Sequence, residues 1–280
     1  MGSTSVRDAF DLSGRVVMIT GGAGFFGLKH AEAVAEMGGS PVILDVAGPA
    51  ATERARLIVD SYGVKSLGVE TDVTSTISVK DALAKTLDSL GRVDVLINNA
   101  ANDPKVGGTD DSGEQWSRLE NFPLEMWQKD LAVGLTGAHL CSQIIGGHLA
   151  EQRKGVILNI ASDLGVIAPD QRIYRQPGLS DERQPVKPVT YSVVKAGLIG
   201  LTRYLATYWA ESGVRVNAIS PGGMYAAQDD EFVQRLTNLI PMGRMANHDE
   251  YKAAIVFLIS DASSYMTGAN LIVDGGRTTW

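Results

Sequence analysis

The sequence holds one cysteine, Cys141, so an intramolecular disulfide is excluded and a reducing compartment fits. Set in an apolar helical stretch, that thiol reads as core packing rather than as a nucleophile. Histidine is scarce as well. His30, His139, His148 and His248 show no ligand spacing with acids or with Cys141, so no metal site is expected. No apolar run approaches the roughly 20 residues of a membrane span, and residues 1–7 lack a hydrophobic signal region. These absences leave the cytoplasm as the expected location, with no membrane partner. Cations are in deficit: 25 Lys and Arg against 32 Asp and Glu give a net charge of −7, which argues against nucleic acid.

At 280 residues with 44% apolar and 20% charged side chains, the chain suits one soluble domain with a sizeable core. Short aliphatic runs at 16–20, 41–45, 66–70, 93–98, 156–160, 214–219 and 270–273 read as strands. Several are continuously apolar, as strands covered on both faces are. Helical patterns fall between them at 27–37, 52–62, 75–90, 123–152, 189–212 and 249–260. This alternation predicts a single-domain α/β fold, a Rossmann-type doubly wound parallel sheet with helices on both faces. Two long loops, 101–121 and 165–188, break the rhythm, and loops of that length in a compact domain are usually lids or binding surfaces.

The first strand runs into Thr20-Gly-Gly-Ala-Gly-Phe-Phe-Gly27, which opens a helix. Glycines there let the backbone turn tightly and approach a pyrophosphate, whose charge the helix N-terminus stabilises. The second strand ends at Asp45. A carboxylate in that place accepts the adenine ribose hydroxyls and repels a 2′-phosphate, and no Lys or Arg occupies 46–51, so NAD is favoured over NADP. Tyr191 and Lys195 are four residues apart, on one helix face. A phenol titrates near pH ~10 in water, and a fixed ammonium beside it moves it toward the range of a working acid/base. Ser162 follows a buried strand and supplies a second donor for the same oxygen, with a strand-end serine bonding its own backbone as the plainer reading.

In order, the motifs Thr20–Gly27, Asp72-Val73, Asn98-Asn-Ala-Ala101, Ser162 with Tyr191-x-x-x-Lys195, and Ser220-Pro-Gly-Gly223 resemble a short-chain dehydrogenase/reductase over nearly the whole chain. The resemblance implies NAD(P), a homodimer or homotetramer, and catalytic roles for Ser162, Tyr191 and Lys195. Cofactor contacts implied by it are Thr20, Gly21, Gly24, Phe26, Gly27, Asp45, Asp72, Val73, Asn99, Ala100, Tyr191, Lys195, Pro221 and Gly222. Asn98 would brace the fourth strand. Three features depart from the main subfamily. Glycines fall at 21, 24 and 27 with Phe25 in the place of a middle glycine, a spacing similar to subfamily members acting on nucleotide sugars. Gly134 stands where the family has an asparagine that holds a relay water. The separation of Ser162 and Tyr191 is also unusually long.

That extra length, 165–188, contains Arg172, Tyr174, Arg175, Arg183 and Lys187 with Asp170, Asp181 and Glu182. Arginines suit bidentate capture of phosphate or carboxylate, against the plainer reading of a solvated mixed-charge loop. Phe25 and Phe26 are expected beneath the cofactor loop, and Trp116 and Trp127 to frame an apolar surface. Asp103 and Asp163 fall near the expected active site and are expected to be solvated loop carboxylates, with binding of substrate hydroxyls as the alternative, and residues 277–280 are expected to reach a neighbouring subunit. The functional expectation is an NAD-dependent oxidoreductase interconverting a secondary alcohol and a ketone on a small polar, carbohydrate-like or nucleotide-sugar substrate. A 3-oxoacyl-thioester reductase, a sugar-acid dehydrogenase and a non-catalytic NAD-binding sensor or assembly protein remain alternatives.

Overall fold

A computed structural model describes residues 5–102 and 115–280. After a short helix α1 (Val6–Phe10), the chain runs β1 (Val16–Thr20), α2 (Phe25–Glu36), β2 (Ser40–Asp45), α3 (Gly48–Tyr62), β3 (Leu67–Glu70), α4 (Thr76–Leu90) and β4 (Val95–Asn98). Helices α5 (Leu124–Leu131), α6 (Gly137–Cys141) and α7 (Gly147–Glu151) follow, joined by π-helical turns at Ala132–Thr136 and Ser142–Gly146. The expected single helix over 123–152 is thus present but widened twice. Then come β5 (Gly155–Ile160), α8 (Val189–Tyr208), β6 (Val214–Pro221), α9 (Asp230–Thr237), α10 (Lys252–Ile259) and β7 (Asn270–Val273).

All strands pair in parallel in the order β3-β2-β1-β4-β5-β6-β7. The order reverses between β1 and β4, and ligands of such sheets bind beyond the strand ends at that switch point. Alternation along each strand explains the two cores. Val17, Ile19, Ile43, Val95, Ile97 and Leu158 pack with Ala31, Val34, Ile58 and Ile255 of α2, α3 and α10. Val16, Met18, Val42, Leu44, Leu96 and Ile157 pack with Val79, Cys141, Ile145, Leu149 and Leu205 on the other face. Each fully buried aliphatic side chain contributes roughly 1.5–3 kcal/mol, so covering both faces is what fixes the sheet.

Helix ends follow local chemistry. Ser75 caps α4 by accepting from Ser78 N–H, and Gly63 and Gly91 end α3 and α4 in the left-handed region. Helix α9 went unrecognised in the sequence. Asp229 caps it, accepting from the N–H groups of Glu231 and Phe232, and Asp230 and Glu231 add favourable charge at its N-terminus.

Candidate active site

A cleft of about 600 Å³ lies over the C-terminal ends of β1, β4, β5 and β6. Gly21, Gly24, Phe25, Phe26, Gly27, Asp45, Asn99 and Ala100 line one end, and Ser162, Tyr191, Lys195, Pro221 and Gly222 line the middle. The turn after β1 requires its glycines. Gly21 has φ +60°, and a Cβ there would lie 2.9 Å from Ala100 Cα. At Gly27 a Cβ would lie 2.3 Å from Gly21 O and 2.6 Å from Gly22 Cα, so helix and turn meet backbone to backbone. Gly24 begins α2 without a capping side chain, which leaves the first-turn N–H groups to an anion. Asp45 joins this rim, its Oδ2 accepting from Ala23 N–H at 3.1 Å and its Oδ1 from Ala47 N–H at 3.0 Å.

Three of the expected cofactor-contact residues have partners within the protein. Thr20 is buried, and its Oγ1 accepts from the N–H groups of Asn99 (2.9 Å) and Ala100 (3.0 Å), pinning β1 to the end of β4. Asp72 closes its own turn, accepting from Thr74 N–H at 2.9 Å and Thr74 Oγ1 at 2.7 Å. Val73 is buried in the core, with one methyl 2.7 Å from where a Cβ at Gly137 would be. None of these three side chains lines the cleft.

Ser162, Tyr191 and Lys195 converge although 29 residues separate the first two. Tyr191 Oη donates to Ser162 Oγ at 3.4 Å. Lys195 is buried, its Nζ donates to Ile160 O at 2.8 Å, and it stands 5.8 Å from the Tyr191 ring centroid. Lys187 adds a second ammonium 3.8 Å from that centroid. A buried amide ladder holds α8 against the sheet. Asn98 Nδ2 donates to Asn159 Oδ1 (2.8 Å) and Ser142 Oγ (3.1 Å), and Asn159 Nδ2 donates to Thr202 Oγ1 (2.8 Å). The start of α8 is fixed by Asp130, which accepts from Thr190 Oγ1 and, at 2.6 Å, from Asn102 Nδ2.

Position 134 has no room for a side chain, because a Cβ there would lie 2.6 Å from Val194 Cγ1. Beside it, a cavity of about 10 Å³ lined by Asp130, Gly134, Thr190, Tyr191 and Lys195 has space for one water. His30 lies buried behind the glycine turn, 6.1 Å from Phe26 by ring centroids, and burial holds its imidazole down to about 4. Among the described residues no three His, Cys, Asp or Glu side chains are placed to hold a metal ion. Burial likewise pushes the Cys141 thiol up to about 12.

Several expectations need correction. Asp163 is not a solvated carboxylate but 3% exposed, and its Oδ2 accepts from Arg277 at 2.8 Å. Arg277 therefore turns inward, while Trp280 donates from Nε1 to Leu239 O at 3.2 Å. Phe26 stacks on Tyr251, but Phe25 is 44% exposed on the rim against His248. Arg172 is tied bidentately to Asp170 and Arg175 pairs with Asp181 at 3.4 Å, and neither arginine lines the cleft. The insertion instead contributes Ile173, Tyr174 and Lys187. Ile173 packs with Leu236, Ile240 and Met245, and Tyr174 lies 5.5 Å from Phe232 by ring centroids, so α9 and the insertion together form an apolar wall. Trp116 packs on Phe122, whereas Asp103 lies outside the described residues.

A family model described as short chain dehydrogenase matches residues 15–174, and one described as enoyl-(acyl carrier protein) reductase matches residues 180–278. The chain is 32% identical to an NADP-dependent mannitol dehydrogenase of Hypocrea jecorina, over 97% of this chain and 95% of that protein. It is 33% identical to a D-threitol dehydrogenase of Mycolicibacterium smegmatis, over 98% and 96%. A gluconate 5-dehydrogenase from Burkholderia cenocepacia J2315, solved with NADP and tartrate, superposes with TM-score 0.84 at 27% identity, over 99% and 100%. The glycine turn at the switch point, the converging Ser162, Tyr191 and Lys195, and these full-length matches make the chain a member of the short-chain dehydrogenase/reductase family, an oxidoreductase acting on CH–OH groups.

Proposed function

We propose that this enzyme interconverts a secondary alcohol and a ketone on a small polyol or related carbohydrate-like compound, with NAD as its nicotinamide cofactor. The observation that carries the reading is the meeting of Tyr191 Oη with Ser162 Oγ at 3.4 Å, beside buried Lys195 and in the middle of a cleft whose one end is lined by glycines. When bound, a nicotinamide supplies the hydride chemistry. Gly21, Gly24 and Gly27 would hold its pyrophosphate, Asp45 its adenine ribose, and Pro221-Gly222 would border the reactive ring. NAD rather than NADP is supported by the carboxylate of Asp45 and by the absence of a cation from 46–51, although the mannitol dehydrogenase is NADP-dependent and the gluconate enzyme was solved with NADP.

Oxidising an alcohol requires removal of its hydroxyl proton, and reducing a ketone requires delivery of one to the same oxygen. Tyr191 takes or gives that proton at Oη. Lys195 favours the phenolate by its charge, and its bond to Ile160 O holds it in place. Ser162 holds the substrate oxygen against Tyr191. The cavity beside Gly134 gives one water a place next to Lys195, where an amide side chain would not fit. The polyol enzymes among the relatives support a hydroxylated substrate. A second reading, reduction of a 3-oxoacyl thioester or oxidation of an apolar alcohol, is favoured by the wall of Ile173, Phe232, Leu236 and Met245. The reading also expects a homodimer or homotetramer, to be measured as mass in solution.

The test incubates purified protein with NAD or NADP and polyols, sugar acids, nucleotide sugars and acyl alcohols, following nicotinamide absorbance. Turnover of a polyol with NAD, lowered about 10³-fold in Tyr191→Phe with NAD affinity retained, is the expected outcome. Tight NAD binding with no turnover across the set would remove the reading.

A further inference from the structure

The carboxylate nearest to Ser162 belongs to the next residue, and it is saturated with donors. Ser162 Oγ donates to Asp163 Oδ1 at 2.8 Å, and Leu164 N–H donates to the same oxygen at 2.8 Å. The other oxygen accepts from Arg277 Nη1 at 2.8 Å, in an ion pair whose side chains are 4% and 6% exposed. Arg277 follows the Gly275-Gly276 turn after β7, far from the Ser162 strand in sequence. Its backbone is fixed by the turn: Gly276 N–H donates to Asp274 Oδ1 at 2.9 Å and Thr278 N–H to Asp274 Oδ2 at 2.7 Å.

Two consequences follow from the charges. A bare carboxylate one hydrogen bond from Ser162 would repel negative charge developing on the substrate oxygen, and in a buried site that repulsion is weakly screened. Arg277 cancels it. Without substrate, Ser162 Oγ donates to Asp163 and accepts from Tyr191 Oη, and the pairing of Asp163 with Arg277 weakens that carboxylate as an acceptor, so the Ser162 hydroxyl can turn to donate to the substrate oxygen. We propose that Asp163 and Arg277 are positioning residues of the catalytic centre, Asp163 holding the Ser162 side chain beside Tyr191 and Arg277 neutralising Asp163 so that the Ser162 hydroxyl can serve the reacting oxygen. This rests on Ser162 acting on that oxygen, as proposed above.

Two readouts test the pair, one of them independent of turnover. In Ser162→Cys, the thiol introduced at 162 reports the local charge through the pH dependence of its alkylation by iodoacetamide. Cys141 stays silent because it is buried, with its thiol pushed up to about 12. Tyr191, Lys195 and Lys187 face the same region and are shared by every variant. Adding Arg277→Met should move the alkylation midpoint up by about one pH unit, because Asp163 is then uncompensated. Adding Asp163→Leu together with Arg277→Met should bring it back.

In the Ser162 enzyme, Arg277→Met should lower kcat by about tenfold or more with NAD affinity unchanged. Arg277→Lys should retain most of it, and the double variant Asp163→Leu/Arg277→Met should regain part. If the pair is only a clamp, the variants will lower Tm while the alkylation midpoint and kcat per folded enzyme stay at wild-type values, and the proposal falls. Should Arg277→Met not fold, the lysine and double variants decide by the same two readouts. Absence of wild-type turnover would count against the reaction assigned above, and the alkylation midpoint would still decide the pair.

Discussion

At the β1–β4 switch point the cleft is made by residues just past strand ends: Gly21 and Gly24 after β1, Asp45 closing β2, Asn99 and Ala100 after β4. At its other end the walls come from Tyr174 in the insertion, Phe232 and Leu236 on α9, and Met245 before α10. The first region is assembled by backbone geometry and the second by side chains distant in sequence. The first therefore has little tolerance for change, because its contacts are between main chains that cannot rotate away. The second can vary in size and polarity without altering the sheet, which suits a region that chooses a substrate.

The comparison breaks most sharply at Gly27. Gly27→Ala places a methyl 2.3 Å from Gly21 O, so we expect a stability loss of about 3 kcal/mol and weak NAD binding, by denaturant titration and fluorescence. Near-wild-type values would show that the turn yields. His30 gives the next effect. Its folded value near 4 lies below the ordinary 6.5, so the folded state favours the neutral ring. That stability is complete above about pH 6.5 and falls as the pH drops toward 4, by about 2 kcal/mol at pH ~5. His30→Phe should flatten this slope in thermal melts taken from pH ~7 to ~5, and an unchanged slope would assign it to other groups.

At the second region the effects should be smaller and confined to substrate. Phe232→Ala removes the partner of the Tyr174 ring, and we expect KM to rise by about fivefold, or roughly 1 kcal/mol, with the NAD Kd unchanged. A matching loss of NAD affinity would mean that the two regions are not separable. Smallest of all, Arg172→Ala should leave KM within error and shift stability by less than about 0.5 kcal/mol, since Arg172 is exposed, pairs with Asp170 and does not line the cleft. A raised KM would return the insertion's arginines to the substrate.

The same division explains what could be read in advance. Strands β1, β4 and β5 are short aliphatic runs, and the Thr20–Gly27 turn, Asp45, Ser162 and the Tyr191–Lys195 spacing are local patterns with a chemical reason attached. Position 72 is not decided by its neighbours, because an Asp just past a strand looks alike whether it faces a ligand or accepts from Thr74 two residues on. Asp163 misled because its partner is 114 residues away, and nothing near it in sequence announces burial. Helix α9 was legible in principle, from Asp229-Asp230-Glu231 ahead of apolar 232, 233 and 236. Nothing local, however, says that its apolar face meets Ile173 and Tyr174.

Composition and periodicity by themselves determined the α/β class, the parallel sheet, the glycine turn and the Tyr191–Lys195 helix, since each depends on contacts within a few residues or on a repeating pattern of burial. Only the tertiary structure decided that the insertion turns an apolar wall rather than its arginines to the cleft. It also decided that Val194 occupies the space at position 134, and that Arg277 pairs with Asp163 beside Ser162. Those outcomes depend on which distant side chains fill one volume and which buried charges find a partner, and neither is encoded by neighbours along the chain.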